Sequence, residues 1–474
     1  MRIVLVSLLL LLSTALTGYT VLTYDNFQPD PDSTALVVCT GLLWLLFVLS
    51  LLALRGVRGR AIVVLVLAGS VVLGGAAMVG PPNTSTDSAR YAWDGIVQNA
   101  GISPYAYPPT DTRLDSLRPD WLFQEPVINK RGDAVCPGER IQRAHKDQTD
   151  ELFCSALNRT DVPTIYPPAS EIFFAGVRAL TGPSPQYWPL QLAGLLMSVG
   201  TTVMLLAGMK RRGIDLRHAA LWAWCPLVAT EAVNNSHVDM LGVVFTLAAA
   251  FFVSSGRQWR GGIMLGVAIA TKLIPVIAAP ALLRRRGWKV IIASVVTFAL
   301  LYVPYVLATG IGVLGYLPGY LTEEGYQDGS RFALISLFAP GSAAIWVAGV
   351  LLVIIGLLVF LKTNPDAPWV GQLVMIGSTL LILSPRYPWY ALLLLPFIAL
   401  SGRWEWLMVP LTLSLRLLEP SLAVTQTSMA LAVIVIVAVS LRRAGPGATG
   451  RLLREPGRMV DRARERLSRS GQRS

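Results

Sequence analysis

The residues of this 474-residue chain best placed to do chemistry fall in one stretch, Asp87-Ser88-Ala89-Arg90-Tyr91-Ala92-Trp93-Asp94-Gly95. Asp87, Arg90, Tyr91 and Asp94 are three or four positions apart, so on a helix they share a face. A carboxylate ringed by aromatics and a guanidinium can serve as general base toward a hydroxyl. The same spacing also describes an interfacial amphipathic helix, with rings at headgroup level and charges in water. Other signatures are missing: there is no Gly-rich phosphate loop, HExxH, CxxC or nucleophile elbow. His237 and Asp239 make at most half a metal site, and His145 and His218 are distant in sequence, so no metal is expected. Any chemistry must be assembled from helix ends and loops.

The elements that would position these residues lie in a bilayer. The chain is 53% hydrophobic and 14% charged, with a mean hydropathy of +0.55, whereas a soluble domain carries about 25% charged residues. Four cysteines are too few for a disulfide scaffold. The net charge of +12 is unevenly spread, which argues against a nucleic-acid partner: residues 442–474 hold ten Arg against three acidic residues, while 81–166 hold twelve acidic against nine basic. This is the loop asymmetry of a multi-pass membrane protein, with the basic tail on the cytoplasmic side near anionic lipid.

Spanning takes about 20 apolar residues. Residues 3–22, read as a retained anchor rather than a cleaved signal peptide, are followed by 35–54, 61–80, 187–208, 217–233, 238–255, 289–308, 342–362, 368–384, 389–401, 405–418 and 422–441. The expected fold is therefore an all-α integral membrane bundle of about twelve transmembrane helices, residues 1–441, with 442–474 as a basic cytoplasmic tail. Basic connectors at 55–60, 210–212, 257–260 and 284–289 then face the cytoplasm, and acidic connectors 25–32 and 321–328 the other side. Both termini come out inside if 167–182 and 261–283 make no net crossing, and Lys272 and Pro275 interrupt the latter, as in a pair of half-helices. One long extracytoplasmic loop remains, 81–165; its apolar residues, Trp121, Leu122 and Phe123 among them, suggest a folded helical insert, and it holds Cys136 and Cys154, a pair able to form a disulfide.

The motif Asp87-x-x-x-Tyr91, followed by Asp94-Gly95 and Gly101-x-x-Pro104-Tyr105, resembles the first outer loop of integral-membrane glycosyltransferases of fold class C, in particular bacterial polyprenyl-phosphate-mannose-dependent mannosyltransferases. Further pieces follow in that family's order: Ile165-Tyr166-Pro167-Pro168, Trp224-Cys225-Pro226-Leu227 leading to Glu231, and Asn235-Ser236-His237-Val238-Asp239. Then come Thr271-Lys272-Leu273-Ile274-Pro275, Asp328-Gly329-Ser330-Arg331-Phe332 and Ser384-Pro385-Arg386-Tyr387-Pro388-Trp389-Tyr390. Ser236 stands where the family pattern has Gly, and Ser103 where Asn is commoner.

The resemblance implies transfer of mannose or a similar hexose from a polyprenyl phosphate to a lipid-linked glycan, at the outer face of the cytoplasmic membrane, with inversion. By motif position Asp87 is the base, and Arg90, Tyr91 and Asp94 shape its surroundings. His237, Asp239, Lys272, Arg331, Arg386, Trp389 and Tyr390 form the wider donor and acceptor site. The sugar phosphate is a substrate, and no cofactor is implied. The competing reading from the residues alone is a secondary transporter, but the polar residues gather in loops rather than at a midplane, and no matching halves are visible.

Overall fold

The computed structural model describes residues 1–25, 33–137, 143–325, 331–339 and 341–445. Most of the acidic connector 25–32, the motif residues Asp328, Gly329 and Ser330, and the tail beyond 445 lie outside the described residues. The chain opens with three helices, α1 (Arg2–Thr23), α2 (Ser33–Leu54) and α3 (Arg60–Ala77). Each is an unbroken apolar run, and in hydrocarbon a helix is the one open-chain form that satisfies its own backbone. Polar residues within α1 are accommodated the same way: Ser13, Thr14, Thr17 and Thr20 each donate to the carbonyl four residues earlier.

Beyond α3 the chain leaves the bundle. Helix α4 (Asp87–Asn99) is followed by one 3₁₀ segment, Thr112–Leu117, and two antiparallel hairpins. Strand β1 (Val127–Ile128) pairs with β2 (Ala134–Val135), and β3 (Arg143–Lys146) with β4 (Leu152–Ser155). The Cys136–Cys154 disulfide joins the two hairpins, and Trp93, Leu114, Phe123 and Phe153 give this insert its own apolar core. The helical insert expected here is thus helical in α4 and the 3₁₀ segment only. A short hairpin core cross-linked by a disulfide takes the place of a longer helix.

The return to the bundle runs through α5 (Pro168–Thr181), α6 (Trp188–Arg212), α7 (Ala220–Ala223), a π-helical segment Val228–Asn234, and α8 (Asp239–Ser254). Next come α9 (Gln258–Thr271), a 3₁₀ segment Ile274–Leu282, α10 (Gly287–Thr309), α11 (Leu317–Glu323) and α12 (Ala343–Lys362). The last elements are α13 (Trp369–Leu383), α14 (Leu395–Ser401), α15 (Met408–Leu418) and α16 (Leu422–Ala444).

Among the described residues seven helices are long and apolar enough to cross a membrane: α1, α2, α3, α6, α10, α12 and α16. An eighth crossing is available if Val228–Asn234 and α8, bent by 112°, count as one broken span. The twelve expected crossings are therefore not twelve full-length helices. The segments 217–233, 368–384, 389–401 and 405–418 are short or interrupted, and prolines explain most of the breaks: Pro226, Pro388, Pro396 and Pro410 each remove a backbone donor and fix φ. The interruption expected at Lys272 and Pro275 is present, with Lys272 in extended backbone (φ −157°, ψ 140°) between α9 and the 3₁₀ segment.

The two ends of the bundle differ in charge. At one end the basic connectors meet: Arg2 packs on Gly56, Arg217 donates to the Arg55 carbonyl, Arg212 to Ser254, Arg284 to the Thr363 carbonyl and Arg443 to the Gly402 carbonyl. At the other end α4 and α5 pair and dock on the bundle, Ser170 donating to the Thr271 carbonyl and Gln98 accepting from Tyr305. The α4–α5 pairing needs Gly95, because a Cβ there would lie 2.5 Å from the Phe174 carbonyl oxygen. Gly95→Ala should therefore lower stability by about 1–3 kcal/mol, the usual scale of overpacking. A clear drop in the thermal midpoint of the detergent-solubilised protein is the expected readout; an unchanged midpoint would mean the helices can separate freely.

Candidate functional site

Asp87 opens α4, and the chain before it is held by two consecutive asparagines from far along the sequence. The Asn83 N–H donates to Asn234 Oδ1 (3.0 Å), and the Thr84 N–H to Asn235 Oδ1 (3.3 Å). Asn235 Nδ2 returns a hydrogen bond to Thr84 Oγ1 (2.7 Å), while Asn234 Nδ2 donates to the Ala77 and Pro81 carbonyls. Gln191 of α6 closes the clasp by donating to the Gly80 and Asn234 carbonyls. Directly after it, Ser236 has φ +52°, a left-handed conformation that glycine adopts without strain. This is a physical reason for a glycine in the family pattern at that position. The reversal at Ser236 brings His237 back beneath Asp87.

Two side chains flank the Asp87 carboxylate. Asn158 Nδ2 donates to Oδ1 (3.0 Å), and His237 Nδ1 lies 3.6 Å from Oδ2. The other ring nitrogen of His237 is 3.3 Å from Glu231 Oε2, and the fully buried imidazole stacks on Trp389 at 3.8 Å. Trp389 in turn stacks on Tyr387 at 4.4 Å. Glu231 is itself fixed by Asn235 Nδ2 (3.0 Å).

Asp87 lines a cavity of about 570 Å³, and it is the one carboxylate among the described lining residues. Its lining combines polar, cationic and aromatic residues, Asn158, Arg159, Lys272, Arg331 and Trp389 among them, with the aliphatic Leu273, Ile274, Val313, Leu314 and Leu317. The cations are held in place: Lys272 donates to Asp239 (2.8 Å) and sits 4.6 Å from the Tyr390 ring centroid. Arg159 pairs with Glu323 (2.7 Å), and the buried Arg331 with Glu324. Such a chamber suits an amphiphile with an anionic head and an apolar chain, and it leaves Asp87 positioned to accept a proton from a hydroxyl. Among the described residues no group of three or more His, Cys, Asp and Glu is arranged to hold a metal ion.

The cavity thus gathers Asp87, Lys272, Arg331, Trp389 and Tyr390 from the expected set. His237 and Asp239 stand behind its wall, touching Asp87 and Lys272 respectively. Arg90, Tyr91 and Asp94 do not line it. The stripe on α4 runs from the cavity into the protein: Arg90 pairs with Asp94 (2.9 Å) and donates to the Arg159 and Val162 carbonyls, which anchors the segment that supplies Asn158. Tyr91 stacks on Phe174 at 4.4 Å. Arg386 is exposed and lies outside the lining. Asn158, Arg159, Tyr320 and Tyr387 carry no signal as site residues in the sequence, where Asn158-Arg159-Thr160 reads as a chance match to a glycosylation sequon.

The model of glycosyltransferase family 87 matches residues 164–385. The match covers part of this region, including Lys272 and Arg331, but starts after Asp87, Asn158 and Arg159 and ends before Trp389 and Tyr390. A polyprenol-phosphate-mannose-dependent alpha-(1-2)-phosphatidylinositol pentamannoside mannosyltransferase of Mycolicibacterium smegmatis is 27% identical over 165 residues, 34% of this chain and 37% of that protein. GPI mannosyltransferase 1 of Gibberella zeae is 32% identical over 148 residues, 27% of this chain and 35% of that protein. The matched stretch therefore spans little more than a third of either curated relative. No solved structure matches. The chain resembles membrane mannosyltransferases, as its motifs indicate.

Beneath the cavity, Glu171 of α5 is fully buried beside Asp94 and accepts from Thr164 (2.7 Å). Burial first, and the neighbouring Asp94 charge second, push the Glu171 carboxyl well above the usual range. A carboxyl raised on folding contributes stability at low pH and loses it as pH rises through the folded value. Glu171→Gln should therefore keep the fold and flatten the loss of stability on the alkaline side. Asp94→Ala should cost about 3 kcal/mol by stranding the buried Arg90 cation. Thermal unfolding of both variants across pH checks this; equal destabilisation by Glu171→Gln at every pH would contradict the raised Glu171 carboxyl.

Proposed function

We propose that this protein is a multi-pass membrane glycosyltransferase that moves mannose, or a similar hexose, from a polyprenyl phosphate to a lipid-linked glycan acceptor. The observation that carries the reading is the placement of Asp87, the one carboxylate among the described lining residues, in a chamber lined by cationic, aromatic and aliphatic side chains. The aliphatic lining residues suit the prenyl chain of the donor and the cationic ones its phosphate. The family match and both mannosyltransferase relatives point to the same chemistry.

In this mechanism Asp87 takes the proton from the acceptor hydroxyl as its oxygen attacks the anomeric carbon. The carbon–oxygen bond to the phosphate breaks on the opposite face, so one displacement inverts the centre. Asn158 and His237 hold the carboxylate at the cavity wall, so that the base is already aimed when the acceptor arrives. Lys272 and Arg331, both in the cavity lining, face the departing polyprenyl phosphate and stabilise its charge. Trp389 and Tyr390 give the sugar flat apolar surfaces.

The orientation follows from charge. The basic connectors cluster at the end opposite Asp87, so the positive-inside rule puts that end in the cytoplasm and the cavity outside, in the cytoplasmic membrane. Both termini are then cytoplasmic, the short and broken helices complete about twelve crossings, and the 81–165 insert covers the outer face.

Transfer from radiolabelled polyprenyl-phosphate-mannose in membranes tests the chemistry. Asp87→Asn should reduce it by about 10²-fold or more, the scale of a lost general base; transfer equal to the parent would defeat the assignment. Lys130→Cys, exposed on the insert, should react with an impermeant maleimide in intact cells, whereas labelling only after permeabilisation would reverse the orientation.

A further inference from the structure

A second amphiphilic chamber lies at the basic end, far from Asp87. It encloses about 530 Å³ between α2, the turn before α7 and the 402–407 turn. Its floor is apolar, with Val48 and Leu52 of α2 facing Leu407. Its polar lining residues are Arg55, Arg217 and His218, with Asp215 the one carboxylate among the described ones. Arg217 is already engaged, paired with Asp215 (2.9 Å) and donating to the Arg55 carbonyl (2.6 Å), so it is fixed at the rim. The Arg55 guanidinium is exposed and has no acidic partner among the described residues. The Nδ1 atom of His218 is buried without a hydrogen-bond partner.

This chamber sits at headgroup depth. Trp404, 48% exposed, stands at its mouth, and Trp259 and Trp288 are exposed at the same basic end, where Lys289 lies near both rings. Exposed tryptophans beside cations mark a membrane–water interface. A basic pocket between helices at that depth is a lipid headgroup site.

We propose that this groove binds one anionic phospholipid of the same leaflet, its phosphate at Arg55 and Arg217 and one acyl chain along Val48, Leu52 and Leu407. Charge selects the occupant. A zwitterionic lipid leaves the Arg55 cation without a net counter-charge, and the 446–474 segment, with eight Arg against three acidic residues, is repelled by the same rim. The site is independent of the transferase reading, since none of its residues lines the Asp87 cavity.

Native mass spectrometry of the full-length protein, released from nanodiscs of mixed phosphatidylglycerol and phosphatidylcholine, tests it. One phosphatidylglycerol should be retained, at least tenfold over phosphatidylcholine. Arg55→Glu should cut that occupancy at least fivefold, while Arg58→Glu, exposed on the same connector but outside the groove, should change it less than twofold. Equal losses from the two variants would reduce the effect to general surface charge and overturn the site, as would equal retention of the two lipids. A benzophenone photolabel placed at Leu52 should cross-link to lipid; cross-links to the 446–474 segment or to a second copy would overturn the proposal in favour of that occupant.

Discussion

The candidate site depends on the clasp between the 77–84 turn and the Asn234-Asn235 pair. Five hydrogen bonds from two amide side chains fix the backbone that leads into α4, and they do so across some 150 positions of sequence. An amide side chain offers both donor and acceptor and carries no charge, so it can satisfy backbone groups in a dry interior without a counter-ion. With the clasp in place, the start of α4 and the His237 turn are parts of one rigid unit. Without it, nothing local would keep Asp87 facing the cavity rather than the insert.

Charge is handled differently at each level of the structure. Three cations of the cavity lining, Lys272, Arg159 and Arg331, are matched by Asp239, Glu323 and Glu324, so the lining stays polar without uncompensated charge at these positions. Below it, Arg90 is balanced by Asp94 and two carbonyls, with Glu171 raised by burial beside them. Unpaired buried charge would cost several kcal/mol per ion. The exposed arginines at the far end need no such matching, because water and lipid headgroups supply it.

Much of this was legible beforehand. The seven long apolar runs are helices because a bilayer leaves them no alternative, and Asp87, Lys272, Arg331, Trp389 and Tyr390 line one cavity. Two kinds of information were hidden. Hydropathy alone could not separate a crossing from a run broken by Pro226, Pro388, Pro396 or Pro410, since these segments stay apolar throughout. Nor could spacing on α4 say where its polar stripe points. Arg90 and Asp94 face inward because Arg159 and Val162 present carbonyls to them, and that contact exists only once the insert has folded. Asn158 was unreadable for the same reason.

The most direct test of the central claim is a cryo-EM structure of the protein with a polyprenyl phosphate and an acceptor glycolipid bound. The phosphate should lie against Lys272 and Arg331, with the prenyl chain along Leu273, Ile274 and Leu314. The acceptor hydroxyl should sit within about 2.6–3.2 Å of an Asp87 oxygen. Density for the lipid phosphate at the basic end, with the Asp87 cavity unoccupied at saturating ligand, would contradict the account.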